Sequence, residues 1–238
     1  MILSNPSISL LIQHRATSQN IEITFLFSDF HFSIIVISSY RYFIIMNTLE
    51  AIKTRRSIRK FINKPVPKDL LKKIVEAGIC APSSMNRQPW RFIVVTNPNA
   101  IKTLVIEAKS ELLKFLKTDE AKKKYGDAVG RFAKRAEGAG DIIFYNAPSV
   151  ILVIQTQEAA NGQFDHGLAT QNMLLAAHDL GLGSVPIGLA VPMNNSGIAR
   201  KLLKMTKDEK LVIAFSVGYP DESPDDLDRD FDVVSWIE

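Results

Sequence analysis

The chain has 238 residues, 46% hydrophobic and 23% charged, with 12 glycines and 11 prolines, values that exclude collagen-like, low-complexity and wholly disordered chains. A single cysteine, Cys80, permits no intrachain disulfide, which points to a reducing, cytoplasmic setting, and the four histidines show no H-E-x-x-H or comparable metal-ligand spacing. The net charge of +4 suits an anionic small ligand but does not by itself indicate nucleic acid.

Residues 1–45 differ from the rest. Only four of the chain's 54 charged residues fall there (Arg15, Glu22, Asp29 and Arg41), and none is lysine. The stretch Phe32–Ile45 is apolar and β-branched, but it is interrupted by Arg41 and too short for a bilayer span of roughly 20 helical residues. It also lacks the basic opening of a signal peptide, so stable membrane insertion is not expected. Two readings stay open: an upstream extension with Met46 as the working start, or a membrane-surface or partner-binding segment. The chain is therefore divided into an atypical extension over 1–45, without expected structure, and a domain over 46–238.

Within that domain, Asn47 and Glu50 have capping-box spacing and open a short helix running to about Thr54. Pro67 suits the first turn of a second helix, where Leu70, Leu71, Ile74, Val75 and Ala77 form an apolar stripe. Arg91–Thr96, Ser149–Thr156 and Leu211–Gly218 read as buried strands. Lys102–Arg135 is helical and amphipathic, with a break near Thr118. Leu168–Leu180 is nearly free of charge, predicts a buried helix, and ends at Gly181. Helices and strands mix without strict βαβ alternation, which favours an α+β layer architecture.

Three strings carry the candidate chemistry. TRRSIRKF places Arg55, Arg56, Ser57 and Arg59 where the first helix ends; guanidinium forks and a hydroxyl match phosphate oxygens, while the plainer alternative is a solvated basic face. APSSMNRQPW sets Ser83, Ser84, Asn86 and Gln88 between two prolines, a stiff polar loop able to meet a heteroaromatic ring. Its alternative is a turn closed by its own side-chain-to-backbone bonds, with Trp90 as a core anchor. GLGSVPIGL, read as a loop, lets the main chain pass close to a flat ligand, and it is not a dinucleotide fingerprint. No nucleophile elbow or partnered carboxylate pair is visible, Cys80 reads as inert, and His166 and His178 fall about 120° apart on one helix. No side chain is therefore assigned a catalytic role; a bound cofactor is expected to supply the chemistry.

Taken in order, R-R-S-I-R-K-F, A-P-S-S-x-N-x-Q-P-W and G-L-G-x-x-P-I-G resemble the nitroreductase family of FMN-dependent oxidoreductases, over roughly Met46 to the C-terminus. The resemblance implies a central, mainly antiparallel sheet flanked by helices, in an intertwined homodimer with exchanged C-terminal tails and tightly bound FMN at the interface. It implies phosphate and ribityl contacts from Arg55, Arg56, Ser57 and Arg59. Pro82, Ser83, Ser84 and Asn86 would contribute, partly from the partner subunit, and Pro186, Ile187 and Gly188 would lie along the isoalloxazine edge. Where relatives carry a basic pair after Gly-Tyr-Pro, this tail is acidic and Arg229 is its only basic residue, hence the candidate for that role. Leu189 stands where some relatives have a second glycine. The implied activity passes hydride from NAD(P)H as co-substrate, through FMN, to nitroaromatic, quinone or related acceptors in ping-pong order. The alternatives are a specialised enzyme of the same family (a reductive dehalogenase or a flavin-breaking benzimidazole synthase), with a lid over Lys102–Gly140, and a non-catalytic flavin-binding protein. A nucleic-acid binder is disfavoured, because no aromatics interleave the basic run.

Overall fold

Strand β5, Ser149–Gln155, shows how the sequence builds the domain. Its run SVILVIQ is apolar on both faces, as a strand covered on both sides requires. Period 2 sends Val150, Leu152 and Ile154 to one face and Ile151 and Val153 to the other. The computed structural model describes residues 47–156 and 162–238 in full, together with strands β1 Leu11–Thr17, β2 Asn20–Phe27 and β3 Phe30–Val36. These three form an antiparallel meander within the unit Met1–Ile45; the remainder of the apolar stretch Phe32–Ile45, and Met46 as a start, lie outside the described residues.

The unit Met46–Glu238 holds a four-stranded antiparallel sheet in the order β4-β5-β7-β6, with β4 at Trp90–Val95, β6 at Gly183–Ile187 and β7 at Lys210–Gly218. All pairings are antiparallel, and one register shift lies at Val153/Ile154. On one face lies helix α3 (Pro98–Phe115), burying Ile101, Leu104, Ala108 and Leu112 with Val150, Leu152 and Ile154. On the other lie α2 (Lys68–Ile79) and α6 (Gly162–Asp179), with Leu71, Ile74, Met173, Leu174 and Ala177 against Ile151 and Val153. Each of the leucine, isoleucine, valine and methionine side chains among these contributes about 1.5–3 kcal/mol over leaving it exposed. This is the α+β arrangement expected, a mainly antiparallel sheet between helical layers.

Local signals explain most boundaries. Helix α1 spans Thr48–Thr54, and Asn47 Oδ1 accepts the Glu50 N–H at 2.9 Å. The segment expected to break once breaks twice. Thr118 caps α4 (Asp119–Tyr125), and Gly126, at φ +52°, ends it before α5 (Ala128–Glu137). Two expectations change. The third string is not a loop: Gly183–Ile187 is edge strand β6, continued by a 3₁₀ stretch over Gly188–Asn195 that precedes α7 (Gly197–Leu202). The charge-poor run Leu168–Leu180 is buried or half-buried except at Gln171 and Asp179, and the exposed part of α6 precedes it, at Gln163, Phe164 and Gly167. Cys80, expected in an apolar helix end, is exposed at the C-cap of α2.

Candidate functional site

The arginine string follows α1 directly and lies beside β6. Ser57 forms a parallel bridge with Ser184, and the Ile58 N–H donates to the Ser184 carbonyl at 3.1 Å. Gly183 makes this approach possible: a Cβ there would stand 2.8 Å from the Ile58 side chain. Its small size thus serves strand packing, not a ligand. At Gly188, by contrast, a Cβ would enter open space.

Between the string, the end of α6 and the C-terminal segment opens a cleft of about 420 Å³, lined by Arg55, Arg56, His178, Ser184, Glu222 and Asp226 among others. The two arginines differ. Arg56 is engaged: Nη1 donates to the Lys53 carbonyl at 2.6 Å, and Nη2 pairs with Asp226. Arg55 keeps a buried Nη1 with no partner, and Ser184 Oγ, also lining the cleft, is buried and unpaired. Burial, then the nearby guanidiniums of Arg229 and Arg56, push the Arg55 guanidinium below its ordinary range. A half-buried cation facing two like charges, with an unused donor, has the charge and the free hydrogen-bonding capacity that suit an anion.

Two carboxylates trim this basic cluster. Glu222 Oε1 accepts the backbone N–H of Arg59 and, at 3.1 Å, that of Lys60, while Asp226 holds Arg56. His178 closes the side of the cleft. The Thr54 hydroxyl donates to the Glu50 carbonyl at 2.7 Å, so it accepts from His178 Nε2 at 2.9 Å, which fixes the ring proton on Nε2. Burial, then Arg55 and Arg56, hold this imidazole below its ordinary pKa, opposed by Asp179.

The structure gathers some predicted residues and separates others. Arg55 and Arg56 line the cleft, Ser57 borders it through the bridge to Ser184, and Arg229 lies within electrostatic reach of Arg55. Arg59 is exposed. Pro186 and Gly188 are exposed at the end of β6, whereas Ile187 turns its side chain into the core at 4% exposure; only its backbone is open to a ligand. Pro82, Ser83, Ser84 and Asn86 do not line the cleft. Ser84 bonds to Asp165 in the first turn of α6, and His178 lies 13 residues further along that helix, roughly 20 Å away at 1.5 Å per residue. The loop also uses polar groups on itself: Ser83 Oγ accepts the Gln88 N–H at 2.9 Å and Gln88 Nε2 donates to Asn86 Oδ1 at 3.1 Å. Sequence reasoning missed Glu222, Asp226 and the placement of His178, because all three act through tertiary approach. Among the described residues no cluster of metal-ligating side chains occurs. No helix there is long and apolar enough to cross a membrane.

Known proteins share this fold. The family model described as "Nitroreductase family" matches residues 52–219. A Methanothermobacter thermautotrophicus protein named "Putative NADH dehydrogenase/NAD(P)H nitroreductase" is 37% identical over 186 residues, covering 75% of this chain and 80% of its own. The crystal structure of a Bacteroides fragilis nitroreductase with bound FMN superposes with a TM-score of 0.69 at 26% identity, over 80% of this chain and 98% of that one. An FMN-bound nitroreductase from Desulfitobacterium hafniense superposes at 0.65 with 30% identity, over 80% and 97%. The matched region contains all three strings and both faces of the sheet, and on these grounds the chain belongs to the nitroreductase family.

Proposed function

We propose that the protein is an FMN-dependent oxidoreductase that takes electrons from NAD(P)H and passes them to nitroaromatic, quinone or related small acceptors in ping-pong order. The observation that carries this reading is the unpaired, buried Nη1 of Arg55 in a cleft that also offers the unpaired hydroxyl of Ser184. A phosphate monoester would satisfy both and relieve the repulsion among Arg55, Arg56 and Arg229. Arg55, Arg56, Ser57, Arg59 and Arg229 are assigned to the phosphate and ribityl end. The backbone of Pro186, Ile187 and Gly188 is assigned to the ring edge, where Gly188 leaves space. FMN, when bound, supplies the two-electron transfer between the reductant and the acceptor. The chain's own residues bind and orient it, and none is assigned an acid or base role.

The same reading makes the protein a homodimer. Pro82, Ser83, Ser84 and Asn86 lie too far from the arginine cleft to join it within one chain, so they are assigned to the cofactor of the second copy. Leu49 and Ile52 on α1 and Phe164 on α6 are exposed, as are Phe231, Trp236 and Ile237 in the tail. The tail from Asp221 carries eight acidic residues against one basic, while Lys102–Arg135 carries ten basic against five acidic. Tail exchange would cover the apolar side chains and bring opposite charges together.

The test is an absorbance spectrum of the purified protein, followed by anaerobic addition of NADH and then a quinone. Flavin bands that bleach and return are the expected result. A colourless protein that takes up no added FMN would refute the reading. Slow reduction by both NADH and NADPH, with no return on addition of acceptor, would favour a non-catalytic flavin-binding protein.

A further inference from the structure

Two buried ionisable side chains on α6 take no part in the arginine cleft. Asp165 and His166 are 2% and 1% exposed, and both reach the segment Ala81–Trp90. Asp165 Oδ1 accepts the backbone N–H of Ser84 at 3.2 Å, and His166 Nε2 lies 3.0 Å from the carbonyl of Pro89. A carbonyl only accepts, so Nε2 carries the ring proton and donates. The Pro89 carbonyl also accepts the Thr156 N–H at 3.1 Å, which fills both of its lone pairs and ties the end of the loop to the sheet.

The segment between these two anchors is strained. Met85, Asn86 and Gln88 have φ of 52°, 52° and 47°, a region that side-chain-bearing residues visit rarely. Such conformations persist only where the surroundings fix them. The loop's internal bonds close the turn but attach it to nothing else. Besides the Thr156 bond to Pro89, attachment comes from α6, which grips Ser84 within the loop and Pro89 at its end. The grip carries a cost, because Asp165 Oδ2 and His166 Nδ1 are buried without partners. Apolar residues at these positions would avoid that cost but would leave the Ser84 N–H without its carboxylate and the Pro89 carbonyl without its second donor.

We propose that Asp165 and His166 are positioning residues: adjacent side chains on α6 clamp the Ala81–Trp90 loop at Ser84 and Pro89 and hold Ser83, Ser84 and Asn86 in their strained arrangement. The consequence for flavin rests on the function proposed above, in which those residues meet the cofactor of the second copy. A loose loop would then weaken FMN retention while leaving the arginine cleft intact.

The test uses the full chain and its variants Asp165→Leu, His166→Leu and His166→Gln. Two readouts separate the clamp from the flavin. One is tryptic cleavage after the exposed Arg87, followed by mass spectrometry and normalised to cleavage after Arg229 in the tail. The other is FMN affinity, from quenching of flavin fluorescence. The leucine variants should raise cleavage at Arg87 at least five-fold and weaken FMN about ten-fold. His166→Gln keeps an N–H donor and should restore both toward wild type. Folded leucine variants with unchanged cleavage would overturn the clamp. Raised cleavage with unchanged FMN affinity would keep the clamp and instead sink the assignment of the loop to flavin. Hydrogen exchange in the wild-type protein needs no variant. The Ser84 amide should be protected at least a hundredfold over an unstructured peptide, and an unprotected amide would overturn the proposal even if the leucine variants fail to fold.

Discussion

The arginine segment Arg55–Arg59 and the serine loop Ala81–Trp90 are both short and polar and each follows the end of a helix, yet they are held by different forces. The first lies along β6, with its main chain bridged to Ser184 and its approach set by Gly183. Its side chains are ordered mainly by electrostatics, with Asp226 on Arg56 and Glu222 on the Arg59 amide. The second has no sheet partner before Trp90 and is bent through three left-handed residues. Two buried side chains hold it from a helix. A sheet edge can leave one guanidinium donor waiting for an anion. A strained loop must be over-determined by neighbours before it can present anything. The first region forms within one chain, and under the proposed function the second is completed only by another.

Removing residues 221–238 tests that last distinction and should have the largest effect. It deletes Arg229, Glu222, Asp226 and the exposed Phe231, Trp236 and Ile237 together. The expected product is a monomer by light scattering that retains less than a hundredth of the wild-type FMN affinity. A flavin-loaded dimer would mean that neither region needs the tail.

Arg55→Ala follows. A charge-assisted contact of about 1.5–3 kcal/mol corresponds to roughly a 10- to 150-fold weaker Kd for FMN. Riboflavin, which lacks the phosphate, should bind the variant and the wild type alike, as competition titrations would reveal. Arg59→Ala should do less, because the side chain is exposed, but flavin content should still fall. Equal losses for FMN and riboflavin would move Arg55 from the phosphate to the ring. Asp226→Asn should change FMN affinity by less than about five-fold, since the carboxylate is almost fully exposed and such pairs contribute little.

These contrasts also mark what could be read without coordinates. β5 was legible because a strand covered on both faces must be apolar throughout, and α1 because Asn47 and Glu50 have cap spacing. The arginine string could be read only as a candidate for an anion, with a solvated basic face as the plainer alternative, because a concentrated basic run looks alike in both cases. Strand β6 was not legible: Gly181, Gly183, Pro186 and Gly188 are turn-formers by local preference, and only pairing with β7 and Ile58 makes 183–187 extended. The exposed start of α6, at Gln163, Phe164 and Gly167, precedes the charge-poor run Leu168–Leu180 and carried no expectation of burial. Asp165 and His166 gave a signal that went unread, an adjacent ionisable pair early in a charge-poor helix.

The smallest expected effect concerns His178, and it bears on whether the cleft's charge is the quantity that matters. Burial, Arg55 and Arg56 hold the imidazole below its ordinary pKa in the folded protein, with Asp179 pulling the other way. The unfolded chain therefore binds more protons, so this group leaves stability intact above the ordinary imidazole range and erodes it as pH falls through that range toward the folded value. His178→Gln removes the titration. In flavin-free protein the wild-type midpoint should lose ground to the variant by about 1–3 °C between roughly pH 7.5 and 5.5. A phosphate dianion beside the ring reverses the field and raises its pKa, so near pH 6 the wild-type protein should take up more protons on binding FMN than His178→Gln does, the phosphate's own titration being common to both. Calorimetry in buffers of different ionisation enthalpy measures that difference. Equal proton exchange in the two proteins would show that the phosphate lies elsewhere, and with it the anion that the unpaired Arg55 donor is expected to meet.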